Sequence, residues 1–337
     1  MAHNLSINSN GEAEFFVAKT PAWHGLGTVT DNCLTWENAV IAAKLDWTIS
    51  KSMLKNPRTG DDIGTFGIFR DDNNEFLALC KERYNLLQNQ ILFSFADILA
   101  SSGRANFESA GAIDGGKTVW CMLRLSNLDF SPVNGDLHEA RLLCIDYRDG
   151  RATTFKVVLN RVVCQNTLSI ALGETGNETL KFRHTALRDV KMKQAEGLVS
   201  MAANSIQAMN MKLKALAAKP VSPIQFKQVM EKLFPNFEKE TTAGNKALLV
   251  ANNFMLNDGN KIAGIQGTAY AMLQAVTDYI DHQKIGLKGE GSMEEKRRES
   301  ALFGSGDKFK NDALKEIENM FLDDIDMMMN EAILSAV

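Results

Sequence analysis

Apolar and polar residues alternate through most of the stretch between Phe107 and Leu159. A period of two residues places every second side chain on the same face, which is typical of a β-strand with one buried face. Two turn signals interrupt the alternation, Asp114-Gly115-Gly116 and Arg148-Asp149-Gly150-Arg151. Asp-Gly between alternating runs predicts a tight hairpin, because a type I′ turn needs positive φ at its central residues. We therefore expect an antiparallel meander of four strands, formed by Phe107–Ile113, Lys117–Leu125, Ala140–Tyr147 and Ala152–Leu159.

The part of the chain before the meander predicts a short helix and three further strands. Its first residues are typical of loops, and Thr35 then precedes an amphipathic stretch, which predicts a helix N-cap. Alternation returns between Trp47 and Met53. The runs Ile63–Arg70 and Glu75–Cys80 flank the polar turn Asp71–Asn74, so they predict two more strands.

The dipeptide Gln-Asn occurs twice between a short apolar stretch and an amphipathic pattern, as Gln88-Asn89 and as Gln165-Asn166. Asparagine is a favoured N-cap, because its side-chain oxygen accepts a backbone N–H that the first helical turn leaves unpaired. We predict that Asn89 and Asn166 each cap a helix that backs the meander. The apolar residues after Asn89 have the spacing of one buried helix face, at Ile91, Leu92, Phe95, Ile98 and Leu99.

The second half of the chain predicts helices almost throughout. Apolar residues from Leu187 to Leu216 follow one side of a long helix, which ends at Lys219-Pro220 because proline cannot continue it. Ser222-Pro223-Ile224-Gln225 has the form of a capping box with proline at the first helical position. Two further helices are predicted over Ala243–Leu256 and Thr268–His282.

These patterns predict an α+β fold with four regions. Residues 1–184 form an α+β core, in which an antiparallel meander is backed by helices, and residues 185–283 form a helical region. Glycines among charged residues between Lys284 and Arg298 predict a flexible linker, assigned to residues 284–308. Residues 309–337 form a last, acidic helix.

Charge is unevenly distributed along the chain. The 337 residues are 45% hydrophobic and 23% charged, with a net charge of -4, which is ordinary for a soluble protein and argues against general nucleic-acid affinity. The segment from Arg148 to Lys193 nevertheless holds nine Lys or Arg and only four acids. From Lys315 to Val337 one lysine faces six acids. The chain therefore carries a basic central segment and an acidic end.

Common catalytic and cofactor motifs are missing from the sequence. The five histidines and five cysteines show no metal-ligand spacing, and no phosphate-binding glycine loop follows a strand, so we expect no cofactor. Asp278, Asp281 and His282 share a helical turn and are expected on a solvated face.

Widely spaced cysteines predict reduced thiols. Without a signal peptide or a long apolar run, we expect neither secretion nor membrane insertion.

The basic segment is the strongest candidate for a binding site. Its first cations surround the second predicted hairpin and are Arg148, Arg151, Lys156 and Arg161. Such an arm lays positive charge along a phosphate backbone, which is the main source of affinity for nucleic acid. The aromatic side chains expected to stack on bases are Tyr84 and Trp120, with Phe107 and Tyr147 as further candidates. In the alternative interpretation, the charges serve solubility and the aromatic rings pack inside the protein.

Several separated motifs occur in order along the chain. They include Trp23-His24-Gly25-Leu26-Gly27-Thr28, Tyr84-x-x-x-Gln88-Asn89, Val163-Cys164-Gln165-Asn166-Thr167-Leu168, Arg183-His184-Thr185 and Thr277-Asp278-Tyr279-Ile280-Asp281-His282. Together they resemble the DUF932 family of phage and plasmid proteins with a Leu-Gly-Thr signature. The resemblance implies a phage, prophage or plasmid origin and a location in the bacterial cytoplasm. It implies no catalytic residue. The order of helices and hairpins is also similar, in outline alone, to the single-strand annealing recombinases.

Three hypotheses about function follow. The first is a non-enzymatic, self-associating protein that binds single-stranded nucleic acid through the basic hairpin, for annealing or protection. The second is a phage assembly, structural or counter-defence protein that docks on a protein partner through the acidic C-terminal helix. The third is an enzyme, which would need a pocket that gathers His24, His184 or His282 beside acids.

Overall fold

The computed structural model describes residues 5–19, 26–31, 35–101, 104–164, 166–170, 180–184, 198–239, 241–287 and 292–322. The N-terminal elements are β1 (Phe15–Ala18), β2 (Thr28–Thr30), α1 (Trp36–Ala42), β3 (Ile49–Lys55), β4 (Asp62–Arg70), β5 (Phe76–Cys80) and α2 (Asn89–Ser101). The three strands predicted in this region are confirmed, and β3, β4 and β5 form a separate antiparallel sheet in that order. The Thr35 hydroxyl caps α1 by accepting a hydrogen bond from the Asn38 amide, also as predicted. The sequence pattern missed β1 and β2, which are too short to show a period.

The predicted meander lies at the centre of the larger sheet. Its strands, and the two that follow, are β6 (Ala105–Ile113), β7 (Thr118–Leu125), β8 (His138–Tyr147), β9 (Thr153–Arg161), β10 (Asn166–Ile170) and β11 (Leu180–Phe182). The strand order is β10-β9-β8-β7-β6-β1-β2, and β11 also pairs with β9. All of these pairs are antiparallel except the parallel pair of β1 with β2.

The first hairpin turn has the backbone conformation that its sequence predicts. The φ angles of Asp114, Gly115 and Gly116 are 57°, 70° and 100°. Gly116 is also required for space, because a β-carbon there would lie 3.0 Å from Cη2 of Trp47. The turn therefore packs against the smaller sheet as well as connecting β6 to β7.

Six helices follow in the described part of the second half. They are α3 (Leu198–Ala217), α4 (Pro223–Leu233), α5 (Thr242–Leu256), α6 (Ala269–Asp278), α7 (Met293–Phe303) and α8 (Ser305–Phe321). A π-helical turn over Tyr279–Gln283 continues α6. Ser222 and Gln225 form the predicted capping box of α4. Residues 185–197, the predicted start of the long helix, lie outside the described residues.

Two predicted elements were wrong. No helix begins at Asn166, because Asn166–Ile170 pairs with β9 as strand β10. The predicted similarity to the annealing recombinases placed a helix at this point, so the structure differs from that prediction here. The range predicted as a flexible linker contains the helix α7 and the start of α8. The acidic helix is described only to Leu322, and residues 323–337 lie outside the described residues.

The larger sheet has two different faces. Its core face packs on α2, as shown by ring contacts of Phe95 with Phe155 (4.9 Å between centroids) and of Phe93 with Phe107 (6.0 Å). This core continues into the helical half as one cluster of buried apolar residues. The second face carries a smaller apolar cluster, in which Leu302 of α7 packs against Leu143, Ile145, Tyr147 and Val158. Helix α7 therefore covers part of the second face.

Candidate nucleic-acid interface

Asn89 is a buried connector and does not cap α2. Its Nδ2 donates to the carbonyls of Leu45 (3.0 Å) and Trp47 (3.2 Å), while its Oδ1 accepts from Nη2 of Arg148 at 2.5 Å. The backbone carbonyl of Gln88 accepts the first hydrogen bonds of the helix, so Gln88 holds the N-cap position. The N-cap prediction for Asn89 is therefore wrong. Its amide instead joins α2 to β8 and to the segment that leads into β3.

Arg148 points into the protein. Its side chain is 1% exposed, its Nη1 lies 2.5 Å from Oδ2 of Asp146, and it also donates to the carbonyl of Leu87. Asp146 is fully buried and accepts a second hydrogen bond, from the Thr153 hydroxyl at 2.6 Å. Every one of these partners is internal, so a phosphate backbone cannot reach Arg148. This corrects the prediction that Arg148 contacts nucleic acid.

Asn166 forms a second buried connector, at the start of β10. Its Nδ2 donates to the Gln274 carbonyl (3.2 Å) and to the Thr277 hydroxyl (3.1 Å). Since a carbonyl only accepts, these contacts fix the orientation of the amide, and Oδ1 faces Nε2 of His282 at 3.1 Å. His282 Nε2 must then carry the hydrogen. The N-cap prediction is wrong here too, because Asn166 ties β10 to α6 and to the π-helical turn.

A buried ion pair lies beside this second connector. Lys310 of α8 is fully buried, and its Nζ donates to Oδ1 of Asp281 (2.7 Å) and to the Thr167 carbonyl (2.6 Å). The other Asp281 oxygen accepts from the Thr167 backbone amide at 2.6 Å. Asp278 and Asp281 are each 7% exposed, so the expected solvated face is wrong for the two aspartates, whereas His282 is exposed. Both aspartates instead face the interior around β10.

Arg161 is also buried, in a third network on the core side. Its Nε lies 2.6 Å from Oδ1 of Asp136, and its Nη2 donates to the Gly259 carbonyl at 2.7 Å. The Tyr270 hydroxyl donates to Oδ2 of Asp136 at 2.5 Å. Burial opposes ionisation of Asp136, but hydrogen bonds from His138, Arg161 and Tyr270 outweigh it and lower the pKa of this carboxyl. The prediction that Arg161 contacts phosphate is wrong for the same reason as for Arg148.

Of the four predicted cations, Arg151 alone is exposed. Lys156 is 6% exposed, and its Nζ contacts Asp307 of α8 at 2.8 Å; burial lowers its pKa, although Asp307 opposes this. Arg151 is exposed by 56%, is paired with Asp149 at 2.7 Å, and lies 3.8 Å from the Tyr147 ring centroid. The predicted exposed cationic arm is therefore reduced to one arginine with a neighbouring carboxylate partner.

The predicted stacking residues do not share a surface. The Tyr84 ring stacks on His184 (4.5 Å between centroids), and His184 Nε2 lies 3.3 Å from Oδ1 of Asp146, a core-face residue. Trp120 packs on the small cluster of the second face. One strand of nucleic acid cannot stack on both rings, because the sheet separates them. Phe107 is buried on Phe93 within the core.

Tyr84 and His184 instead line an open groove, here called the β5 groove. This groove has a volume of about 580 Å³ and lies between the end of β5 and the β8–β9 turn. Its lining residues are Thr65, Leu79, Cys80, Lys81, Arg83, Tyr84, Gly150 and His184. Lys81, Arg83 and the neighbouring Arg183 are exposed, and none of the three pairs with a carboxylate of the described chain. Two exposed cations, Lys81 and Arg83, therefore line the groove beside its aromatic floor, and Arg183 is an exposed cation next to His184 in the sequence.

Comparison with known proteins identifies the family. The model of a domain of unknown function, DUF932, matches residues 76–307, which is more than half of the chain. The chain belongs to the DUF932 family. No curated protein and no solved structure gives a significant match to it.

The tertiary structure brings distant parts of the DUF932 match together at two places. At the first, the Tyr84-x-x-x-Gln88-Asn89 motif contacts His184 and Arg148. At the second, Asn166 and Thr167 contact Thr277, Asp281 and His282. His184 and His282 lie in separate places, and His24 lies outside the described residues. His184 lines the β5 groove beside Asp146, and His282 lines a separate cavity together with Asp281, so the hypothesis of an enzyme stays a prediction.

Two further features, a cluster of metal ligands and a membrane-spanning helix, are absent from the described ranges of this DUF932 chain. No group of three or more His, Cys, Asp or Glu side chains there is arranged to hold a metal ion. No helix among the same residues is both long and apolar enough to cross a bilayer.

Sequence reasoning missed the cations of the β5 groove. Lys81 and Arg83 precede Tyr84, and Arg183 precedes His184, so each lies beside a residue of a family motif. The position of these cations next to motif residues was the one signal in the sequence that could have indicated them. The count of charges along the segment from Arg148 favoured the buried arginines instead, because charge density along the chain does not reveal which side chains are paired.

Proposed function

We propose that this DUF932 protein binds single-stranded nucleic acid in the β5 groove, without catalysing a reaction on it. The observation that carries the proposal is the pair of exposed cations, Lys81 and Arg83, that lines the groove with Tyr84 and His184; the exposed Arg183 adjoins His184 in the sequence. Cations without carboxylate partners are available for phosphates, and most nucleic-acid affinity comes from such contacts.

The surroundings add to the positive potential of the groove. Lys51 lies beneath its edge and donates to the backbone carbonyls of Glu82 and Tyr84. Among nearby acids, Asp149 is engaged by Arg151, with 2.9 Å between Nε and either carboxylate oxygen, and Glu82 is exposed between Lys81 and Arg83 in the sequence. An excess of cations in one concave region attracts a polyanion even though the whole chain carries a net charge of -4.

Exposed apolar surface favours a single strand over a duplex. Leu79 lines the groove and is 58% exposed, and Phe76 on the same edge strand is 44% exposed. Unpaired bases offer flat apolar faces to such side chains, whereas a duplex keeps its bases stacked inside. A strand whose phosphates contact the three cations can place its bases along β5.

The test is the binding of a fluorescently labelled single-stranded oligonucleotide, followed by anisotropy at low salt. The groove variant carries Lys81→Ala, Arg83→Ala and Arg183→Ala. The control variant carries Lys214→Ala, Lys219→Ala and Lys239→Ala, which removes the same charge from exposed positions of the helical half.

We expect the groove variant to bind roughly tenfold more weakly or worse, because a charge-assisted contact contributes about 1.5–3 kcal/mol and tenfold corresponds to about 1.4 kcal/mol. The control variant should bind like the parent protein. Equal losses in both variants would show only a general charge effect, and no binding by the parent protein at low salt would refute the proposal. Self-association stays a prediction, to be measured in the same samples by light scattering.

A second candidate is an assembly or interaction protein, and one observation favours it. Leu248 and Met255 lie two turns apart on α5 and are 60% and 62% exposed, with Leu256 beside them at 65%. Exposed apolar stripes of this kind mark protein interfaces. If the stripe joins copies of the chain, Leu248→Lys with Met255→Lys should reduce the mass measured by light scattering. The acidic segment proposed as a docking helix lies largely outside the described residues.

A further inference from the structure

A second cavity lies on the other side of the larger sheet from the Tyr84–His184 stack. It occupies about 360 Å³ between the second face of the sheet and helix α7. One wall is apolar, formed by Met122, Val158, Ala301 and Leu302. Its lining also contains charged residues, among them Arg141, which pairs across strands with Val158, and Arg297 of α7. This size and this mixture of apolar wall and few polar groups are typical of a site for a small molecule.

Most charges around this cavity are already neutralised. Arg141 pairs with Glu108 (2.9 Å) and Glu139 (2.7 Å). Arg298 pairs with Glu294 at 3.0 Å. The Asp281 carboxylate, which also lines the cavity, is held by Lys310 and by Thr167. Because each of these carboxylates is paired, the carboxylates repel an incoming anion less than their number suggests.

Arg297 differs from these neighbours. It donates Nη1 to the backbone carbonyl of His282, and within the described chain it pairs with no carboxylate. Its Nε is buried without a hydrogen-bond partner, and the same holds for Nη1 of Arg141. A buried guanidinium N–H without an acceptor is unfavourable, because it has lost its hydrogen bonds to water and gained none in the protein. Two such donors on residues of one cavity are the feature that a bound anion would explain.

We infer that this cavity binds a small phosphate ester that carries a flat ring, with a nucleoside monophosphate as the matching class. A phosphate offers acceptor oxygens in several directions, which suits donors that come from two different arginines. The ring then packs against Met122, Val158 and Leu302. The inference is independent of the proposed function, since no cation of the β5 groove lines this cavity.

The test is calorimetric titration of the full chain with 5′-AMP, adenosine and inorganic phosphate. The parent protein should bind 5′-AMP, phosphate should compete with it, and adenosine should bind far more weakly. Arg297→Met should weaken 5′-AMP binding roughly tenfold or more. Lys296→Met, which removes the same charge from the adjacent position of α7 outside the cavity lining, should bind like the parent protein.

Each contrary result has a definite meaning. Absence of 5′-AMP binding, adenosine binding as tight as 5′-AMP, or equal losses in Arg297→Met and Lys296→Met would overturn the inference. Loss of 5′-AMP binding in the β5 groove variant would place the ligand in that groove and would also overturn it. Thermal unfolding checks that each variant folds. Arg297→Lys supplies a second, milder variant, which keeps the charge, loses the fork of donors and should bind at an intermediate strength.

Discussion

Nη2 of Arg148 donates a 2.5 Å hydrogen bond to Oδ1 of Asn89, across 59 positions of the sequence. Both side chains are 1% exposed. Through the Asn89 amide, this bond connects the end of β8 to α2 and to the carbonyls of Leu45 and Trp47. The meander, the first backing helix and the approach to the smaller sheet therefore share one polar junction.

Removal of the Arg148 charge should destabilise the protein strongly. Arg148→Met leaves Asp146 buried without its cation, and the loss of one partner of a buried pair costs about 3–5 kcal/mol. Arg151→Met, in the same turn but at a 56% exposed side chain, should cost less than about 1 kcal/mol. Chemical denaturation measures both free energies of unfolding. Similar values for the two variants would show that the Arg148 network contributes little.

Salt dependence offers an independent check on the β5 groove. For single strands, the logarithm of the binding constant falls with the logarithm of salt concentration by about 0.7 for each phosphate neutralised. Loss of three contacts in the Lys81, Arg83 and Arg183 alanine variant should make this slope shallower by about 2. The matched variant of the helical half should keep the parent slope. An unchanged slope in the groove variant would place the phosphate contacts elsewhere.

The burial of His138 should make stability depend on pH. Burial lowers the pKa of this imidazole below its usual 6.5, although Asp136 opposes the shift. Below that pH the unfolded chain binds a proton that the folded protein does not, so the free energy of unfolding falls as pH falls, by at most about 1.4 kcal/mol per pH unit from this group.

His138→Gln should remove this contribution. The glutamine keeps a polar group near the Tyr270 hydroxyl, which lies 2.7 Å from His138 Nε2. Urea denaturation at several pH values from about 7.5 down to 5.5, on either side of the ordinary histidine pKa, should show a flatter profile for the variant. Parallel profiles for the two proteins would count against the lowered pKa of His138.

Gly306 should resist even the smallest substitution. A β-carbon at this position of α8 would lie 2.8 Å from Cγ2 of Ile280 and 2.9 Å from the Ser300 carbonyl oxygen. Gly306→Ala should therefore cost about 1–3 kcal/mol through overpacking, although alanine is the better helix former. Lys308→Ala, at an exposed position of the same helix, should change the stability by less than about 0.5 kcal/mol. Thermal and urea unfolding compare the two, and a stabilised Gly306→Ala would contradict the close contact.

Elements with a strong local signal were predictable from the sequence. The period of two residues and the Asp114-Gly115 turn predict the central strands, and the Ser222–Gln225 capping box predicts the start of α4. Elements without such a signal were not. Strand β10 follows Asn166 because its backbone pairs with β9, and that pairing depends on a partner whose position the local pattern does not contain.

The candidate sites depended more heavily on long-range contacts. The sequence places Arg148, Lys156 and Arg161 in one basic segment, and it marks Tyr84 as a candidate for stacking on bases. It does not contain the information that Asp146, Asp307 and Asp136 neutralise those cations inside the fold. The same folding leaves Lys81 and Arg83 at the surface, and neither pairs with a carboxylate among the residues that the structure describes.

Local spacing thus settled the α+β class, the meander and the helix starts after Thr35 and Ser222, because backbone periodicity and capping act over a few residues. Folding settled which charges are available and what the two Gln-Asn dipeptides do. Asn89 and Asn166 carry the side chain of a helix cap, but buried carbonyls and cations from distant elements need partners, and each amide satisfies several of them at once. The role of a buried polar side chain depends on the groups that pack around it, and in this fold those groups come from residues far apart in the chain.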